Sequence, residues 1–240
     1  MLKELLYESC KKIDIELSDE QLSKFILYKD ELLEWNKKVN LTGITDEKEV
    51  ILKHFVDCLI LLNYADFKGK KVIDVGTGAG FPGIPLKILH EDMEITLLDS
   101  LNKRITFLDH VTKKLGLKNV SSVHARAEDG GRDKNLRDSF DICASRAVAN
   151  LSVLSEYCLP YVKPGGIFLS MKGPDVEEEL KNAKKAITLL SGEIIDVKTM
   201  IIPDTDIKHS IIVIKKIKPT HPIYPRTSAK IKKEPLGSNM

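Results

Sequence analysis

The sequence predicts an α/β protein: a mainly parallel twisted sheet with helices on both faces, preceded by a helical extension. Three observations carry this expectation. Five short runs of strand-forming residues recur between Val72 and Met171, separated by stretches with helical periodicity. A segment dense in glycine follows the first run directly. The residues before that run hold apolar positions at helical spacing and no strand pattern.

In the extension, Leu17-Ser18-Asp19-Glu20-Gln21-Leu22 contains a capping box, with Ser18 and Gln21 three apart and Leu17 and Leu22 placed as a hydrophobic staple. The helix that starts there keeps Leu22, Phe25, Ile26, Leu32, Leu33 and Val39 near one face, and it should stop around Asn40-Leu41-Thr42-Gly43. A second helix is expected from about Asp46 to Leu62. Val72–Val75 then reads as a buried parallel strand, Gly83–His90 as a helix and Ile95–Asp99 as a second strand. A helical stripe from Ile105 to Leu115 closes at Gly116, and Val120–His124 is a third strand. Phe140–Ala144 is a fourth, Asn150–Tyr161 a helix, and Ile167–Met171 a fifth strand entered through a Pro164-Gly165-Gly166 turn. A polar helix, Asp175–Leu190, precedes a strand pair at Glu193–Met200 and His209–Ile217. The expected division is a helical extension over 1–66, an α/β domain over 67–217 and a basic tail over 218–240.

With 240 residues, 42% hydrophobic and 30% charged, the chain suits one domain plus an extension and excludes wholesale disorder. The most apolar stretches, Cys58–Leu62 and Ile211–Ile214, fall far short of the roughly 20 residues that span a bilayer. The start, Met1-Leu2-Lys3-Glu4, has no apolar signal core, so the cytoplasm is the expected compartment and no membrane partner is expected. Four cysteines without a C-x-x-C pair read as reduced, buried thiols, and no cluster has metal-ligand spacing, so no metal is expected. The net charge of +2 is uneven. Residues 215–240 hold seven Lys/Arg against one acid, while the rest holds 30 basic and 34 acidic residues. A slightly acidic body with a basic end suits a polyanionic partner.

The glycine segment, Val72-Ile73-Asp74-Val75-Gly76-Thr77-Gly78-Ala79-Gly80-Phe81-Pro82-Gly83, sits between a strand and a helix. Glycines there let the backbone turn sharply and approach a ligand closely. Gly78 to Gly83 matches G-x-G-x-x-G, with Asp99 nineteen residues after Gly80, which taken alone fits an NAD(P) oxidoreductase. Register favours another ligand. As the strand delivers it, the pattern is D-x-G-x-G-x-G with Pro82 interrupting the turn, similar to the loop of S-adenosyl-L-methionine methyltransferases with a Rossmann-like fold. A pyrophosphate avoids a nearby carboxylate, whereas a sulfonium and an α-ammonium can sit beside Asp74. Asp99, with Ser100 next to it, ends the second strand and fits ribose hydroxyls in either reading.

Asn40-Leu41-Thr42, His54-Phe55-Val56-Asp57, the loop from Asp74 to Pro85, Leu97-Leu98-Asp99-Ser100 with Lys103-Arg104, Ala127-Glu128, Ser145-Arg146-Ala147 and Lys172-Gly173 occur in order. Together they resemble the GidB (RsmG) family of bacterial small-subunit rRNA methyltransferases. The resemblance implies S-adenosyl-L-methionine as cofactor and N7 of one 16S rRNA guanine, position 527 in reference numbering, as target. Gly78 and Gly80 of the loop are candidate cofactor contacts from their place in it, and the resemblance implies that Gly76 and Phe81 meet the cofactor, that Ala127 and Glu128 meet its adenine, that Arg146 reaches the site, and that Lys172 faces RNA. The implied partner is 16S rRNA or the small ribosomal subunit, with a monomer expected.

Guanine N7 carries an in-plane lone pair and no proton, so its methylation needs alignment and no general base. The absence of an N/D-P-P-Y/F motif after the fourth strand agrees, and Ser145-Arg146-Ala147 stands there instead. An arginine can hydrogen-bond a guanine edge or a phosphate. His54 and Asp57 share a helical face and, with Arg146 and Lys172, are the candidate catalytic residues, acting by shaping the cofactor or substrate mouth. Lys103 and Arg104 open a helix and, with Arg226, Lys230, Lys232 and Lys233 of the tail, are candidate RNA contacts. A non-catalytic RNA-binding assembly module is the remaining alternative.

Overall fold

Successive side chains of a strand face opposite sides of its sheet, and the strands here use both faces. In the computed structural model, which describes residues 1–146 and 148–237, seven strands form one sheet. They are β1 (Lys71–Val75), β2 (Glu94–Asp99), β3 (Val120–His124), β4 (Phe140–Arg146), β5 (Val162–Lys172), β6 (Gly192–Ile201) and β7 (Lys208–Lys216). Their order is β3-β2-β1-β4-β5-β7-β6, with β7 antiparallel to both neighbours and the rest parallel. Dinucleotide-binding sheets with two mononucleotide halves run 3-2-1-4-5-6; the strand inserted between β5 and β6 sets this sheet apart.

Val72, Leu97, Ala144 and Val213 point to one face, into a core shared with the helical extension, α5 (Gly83–Leu89) and α6 (Asn102–Lys114). Their chain neighbours Ile73, Leu98, Cys143 and Ile212 point to the other, against α8 (Leu151–Cys158) and α9 (Glu177–Leu189). The extension consists of α1 (Leu2–Lys11), α2 (Asp19–Val39) and the segment over 47–63. The capping box at the start of α2 forms as expected, with the Gln21 amide donating to Ser18 Oγ at 3.2 Å and the Ser18 amide to Gln21 Oε1 at 2.9 Å. The helix ends at Asn40 in the left-handed region, because Asn36 Oδ1 accepts the Leu41 and Thr42 amides and holds the exit before Gly43 is reached.

Two expectations about secondary structure change. The single helix over 46–62 is instead α3 (Glu47–Glu49), a π-helical turn (Val50–Val56), α4 (Asp57–Leu59) and a 3₁₀ turn (Ile60–Asn63). Wider turns of this kind concentrate at functional sites, and here the Lys53 carbonyl within the turn accepts from Arg146 at 3.2 Å. The Pro164-Gly165-Gly166 turn lies inside β5, in the bulge between Val162 and Ile167 where the pairing with β4 shifts. Sequence periodicity also did not mark α7 (Ala127–Gly130).

The segment expected as a basic tail packs on the body at least to residue 237. It carries α10 (Ser228–Lys233), with Ile231 fully buried against the α8 side of the sheet. Arg226 is a correction to the expected RNA contacts. Its guanidinium clasps Glu156 of α8 through Nε at 2.9 Å and Nη2 at 2.7 Å, and Glu156 has no exposed surface. Arg137 secures the same segment by donating to the carbonyls of Thr220 and Tyr224. Lys230, Lys232 and Lys233 remain on the solvent side of α10. Arg226→Ala leaves Glu156 buried without a counter-charge and should cost about 3 kcal/mol in urea unfolding; Lys233→Ala, on the exposed face, should leave the midpoint unchanged.

Candidate methyl-donor site

A cleft of about 770 Å³ opens at the carboxyl ends of β1, β2 and β4, where open α/β sheets bind ligands. Its floor is the glycine loop. Gly78 has φ +61°, and a Cβ built on it meets nothing within 4 Å, so its missing side chain leaves the cleft open above a backbone that other residues rarely adopt. Asp74 braces the loop from beneath: Oδ2 accepts from Thr77 Oγ1 at 2.6 Å and from the Gly83 amide at 2.8 Å. A Cβ on Gly83 would come within 2.9 Å of that oxygen, so glycine is what allows the close approach. Asp74 does not border the cleft, which corrects the expectation that it faces the cofactor. Its Oδ1 is buried without a partner, and burial pushes the carboxyl up to about 7. Gly80 also lies behind the lining, while Gly76 and Phe81 form part of it.

One end of the cleft is acidic. Asp99, 2% exposed, accepts from the Gly78 amide on Oδ2 and from the Leu101 amide on Oδ1, both at 2.9 Å, and Arg104 Nη1 lies 3.1 Å from Oδ2. Ser100, Ala127 and Glu128 complete this end, and Glu128 Oε1 is buried with no hydrogen-bond partner. Tyr161 Oη donates to the Ala127 carbonyl at 2.6 Å and fixes the turn that presents both residues.

The other end is built around Arg146. Its Nη1 donates to Asp57 Oδ2 at 3.0 Å, its Nη2 to His54 Nδ1 at 3.0 Å, and its guanidinium lies 4.9 Å from the Phe81 ring centre. His54 stacks on the same ring at 4.4 Å. Burial, reinforced by the Arg146 charge, pushes the His54 imidazole down to about 3, so it is neutral at ordinary pH. Since Nδ1 accepts from Arg146, the proton is on Nε2, which donates to Thr42 Oγ1 at 2.9 Å. Asp57, 1% exposed, accepts on its second oxygen from His209 Nδ1 at 2.7 Å. Asp57 therefore stands behind the lining and holds Arg146, and His209 is a member of the cluster that sequence reading passed over. Ala147, part of the recognised Ser145-Arg146-Ala147 stretch, lies outside the described residues.

Lys172 differs from its expected place facing RNA. Its ammonium binds Glu179 at 2.6 Å and the Ala149 carbonyl, in the wall of the cleft beside the first turn of α8. Glu179 also accepts from the Leu151 amide, so Lys172 acts on that wall from behind. Lys103 is exposed next to Arg104, and Lys232 borders the cleft together with Ser228 of α10. Among the described residues, no group of three or more His, Cys, Asp or Glu side chains could hold a metal, and no helix is long and apolar enough to cross a membrane.

Residues 21–208 match the GidB family, described as rRNA small subunit methyltransferase G. This chain belongs to that family. It is 55% identical to the ribosomal RNA small subunit methyltransferase G of Clostridium botulinum (strain Alaska E43 / Type E3) over 97% of this chain and 98% of that protein. Identity to the Clostridium perfringens (strain 13 / Type A) protein of the same name is 51% with the same coverage. Among solved structures, M. jannaschii TYW2 in complex with AdoMet superposes with a TM-score of 0.55 at 17% identity, covering 73% of this chain and 80% of that one. The [4+2]-cyclase SpnF superposes at 0.56 with 14% identity, covering 84% and 97%. Such distant likenesses establish the fold, and a cyclase among them illustrates that fold alone does not fix the reaction. Family membership does, and makes the protein an S-adenosyl-L-methionine-dependent methyltransferase. The oxidoreductase and non-catalytic alternatives fall with it.

The neutral state of His54 has a measurable consequence. Below its ordinary value of 6.5 the unfolded chain takes up a proton there, while the folded chain does not until about 3. This group's contribution to stability is complete above 6.5 and is lost as pH falls. Between pH 6.5 and 5, wild type should lose about 1 to 2 kcal/mol more than His54→Asn in urea unfolding. Asp74, raised in both proteins, cancels from the difference; equal losses would contradict the assignment.

Proposed function

We propose that this protein methylates N7 of one guanine in 16S rRNA, the guanine implied by its family resemblance. The observation that carries the reading is where the acids are and what the remaining polar groups do. The carboxylates bordering the cleft, Asp99 and Glu128, both lie at one end. At the other end, His54 has both ring nitrogens engaged, and both Asp57 oxygens are bonded to Arg146 and His209. No carboxylate or imidazole in the described lining is free to remove a proton there. Exocyclic amino groups and ribose hydroxyls carry protons that methylation must discharge; guanine N7 carries none. The names of the clostridial relatives support small-subunit rRNA as the substrate.

The described residues fit S-adenosyl-L-methionine. Asp99 offers carboxylate oxygens to a ribose, Glu128 Oε1 is an unpartnered acceptor suited to an adenine amino group, and the space above Gly78 admits the amino-acid portion. When bound, this cofactor supplies an electrophilic methyl group on a sulfonium. The chain's own task is alignment. Phe81 and His54 form a flat aromatic wall, and Arg146 places a fixed positive charge beside it that suits a guanine edge or its phosphate. Because N7 edges are hidden in the deep major groove of A-form RNA, the guanine must be presented unstacked. Lys103 and the exposed face of α10, with Lys230, Lys232 and Lys233, provide cations for flanking phosphates.

Reverse-transcription mapping of N7-methylguanine in 16S rRNA from a deletion strain should find the mark missing, and complementation should restore it. A mark that persists in the deletion strain overturns the reading. Asp99→Ala should weaken S-adenosyl-L-methionine binding by about 1 to 3 kcal/mol in calorimetry.

A further inference from the structure

Asp99 has more partners than its proposed role leaves room for. A carboxylate presents about four acceptor positions. Backbone amides take two, Gly78 on Oδ2 and Leu101 on Oδ1, and both amides are fixed by the loop and the strand end. Arg104 Nη1 takes the rest, at 3.1 Å from Oδ2 and 3.4 Å from Oδ1. A ribose diol seated on Asp99 must replace one of these donors, and the side chain is the one that can leave.

Arg104 is poised to leave. Its Nε is buried without a partner, so its hold is incomplete. It lies in the first turn of α6, which has no side-chain cap and no acid there, with Lys103 beside it. Two cations at a helix N-terminus oppose the helix dipole, and Asp99 is the charge that offsets them. Arg104 lines the cleft and its side chain is 31% exposed, so rotation outward brings the guanidinium to the rim beside Lys103.

Resting on the reading of Asp99 as the ribose acceptor, we propose that Arg104 is a coupling residue: cofactor binding displaces it from Asp99, and the freed guanidinium takes a phosphate of the RNA at the rim. Without cofactor, Arg104 competes for the ribose position and is withheld from RNA. With cofactor, it is delivered to RNA. By linkage the effect is reciprocal, so RNA strengthens cofactor binding by the same factor as cofactor strengthens RNA binding.

The test uses the full-length protein, S-adenosylhomocysteine as a non-reactive cofactor analogue and a 16S rRNA transcript. In calorimetry without RNA, Arg104→Ala should bind the analogue more tightly than wild type, because the competitor is gone. In filter binding, wild type should hold the transcript about fivefold or more tighter with the analogue than without it, and Arg104→Ala should lose that ratio. Arg104→Lys, which keeps the charge, should restore part of it and guards against misfolding of the alanine variant. Weaker analogue binding by Arg104→Ala would make Arg104 a direct cofactor contact and overturn the proposal. So would a ratio unchanged by the substitution, or wild-type RNA binding indifferent to the analogue. Failure of the underlying reading shows separately, as Asp99→Ala binding the analogue like wild type.

Discussion

A guanidinium held largely out of water at the end of a strand is tolerable only with its charge answered, and Arg146 is answered from one short stretch of chain. Asp57 supplies the opposite charge, the Lys53 carbonyl and His54 Nδ1 take further donors, and the Phe81 ring lies beneath. His209, from β7, secures the second Asp57 oxygen. One cation thus joins the end of β4, the π-helical turn, the glycine loop and the antiparallel strand. The helical extension is therefore a wall of the site, and the wider turn over Val50–Val56 is the local cost of aiming a carbonyl and an imidazole at the same arginine.

Two aspartates on adjacent strands are put to opposite use. Asp99 ends β2 at the lining of the cleft, where its oxygens accept from the Gly78 and Leu101 amides and from Arg104. Asp74, in β1 and in register with Leu97 of β2, is sealed behind the loop. With one oxygen unpartnered and its acidity weakened by burial, it serves as a hydrogen-bonding post for Thr77 and Gly83. A carboxylate near the loop's positive φ glycines is therefore a scaffold there.

The sequence made the strands legible because β-branched runs bounded by turn residues have few other uses, and the Ser18 capping box is a local signal with a local cause. The loop glycines were legible for the same reason. What stayed hidden depends on partners distant in the chain. The direction Asp74 faces is set by Thr77 and Gly83 after the loop has closed. The π-helical turn depends on Arg146, some ninety positions away. His209 gave no signal because its partner, Asp57, lies 152 residues earlier. Lys172 reads as facing RNA because nothing local announces that Glu179, seven residues on in the first turn of α9, turns back to meet it.

The carboxyl-terminal segment shows how composition misleads about order. Seven Lys/Arg and one acid over 26 residues suggest a solvated tail, yet the segment is anchored on the body by Ile231, by Arg226 on the buried Glu156 and by Arg137 on two of its carbonyls. Ile231 enters the core and Arg226 satisfies Glu156, which otherwise could not be buried. With those two fixed, Lys230, Lys232 and Lys233 can only face outward, and Lys232 arrives at the rim of the cleft. A slightly acidic body repels a polyanion at long range, so cations must be concentrated where the nucleic acid has to come. Folding the segment fixes Lys232 in the lining of the cleft that Arg104 also borders, so in the proposed RNA-binding role its ordering entropy would not be spent at the moment of binding.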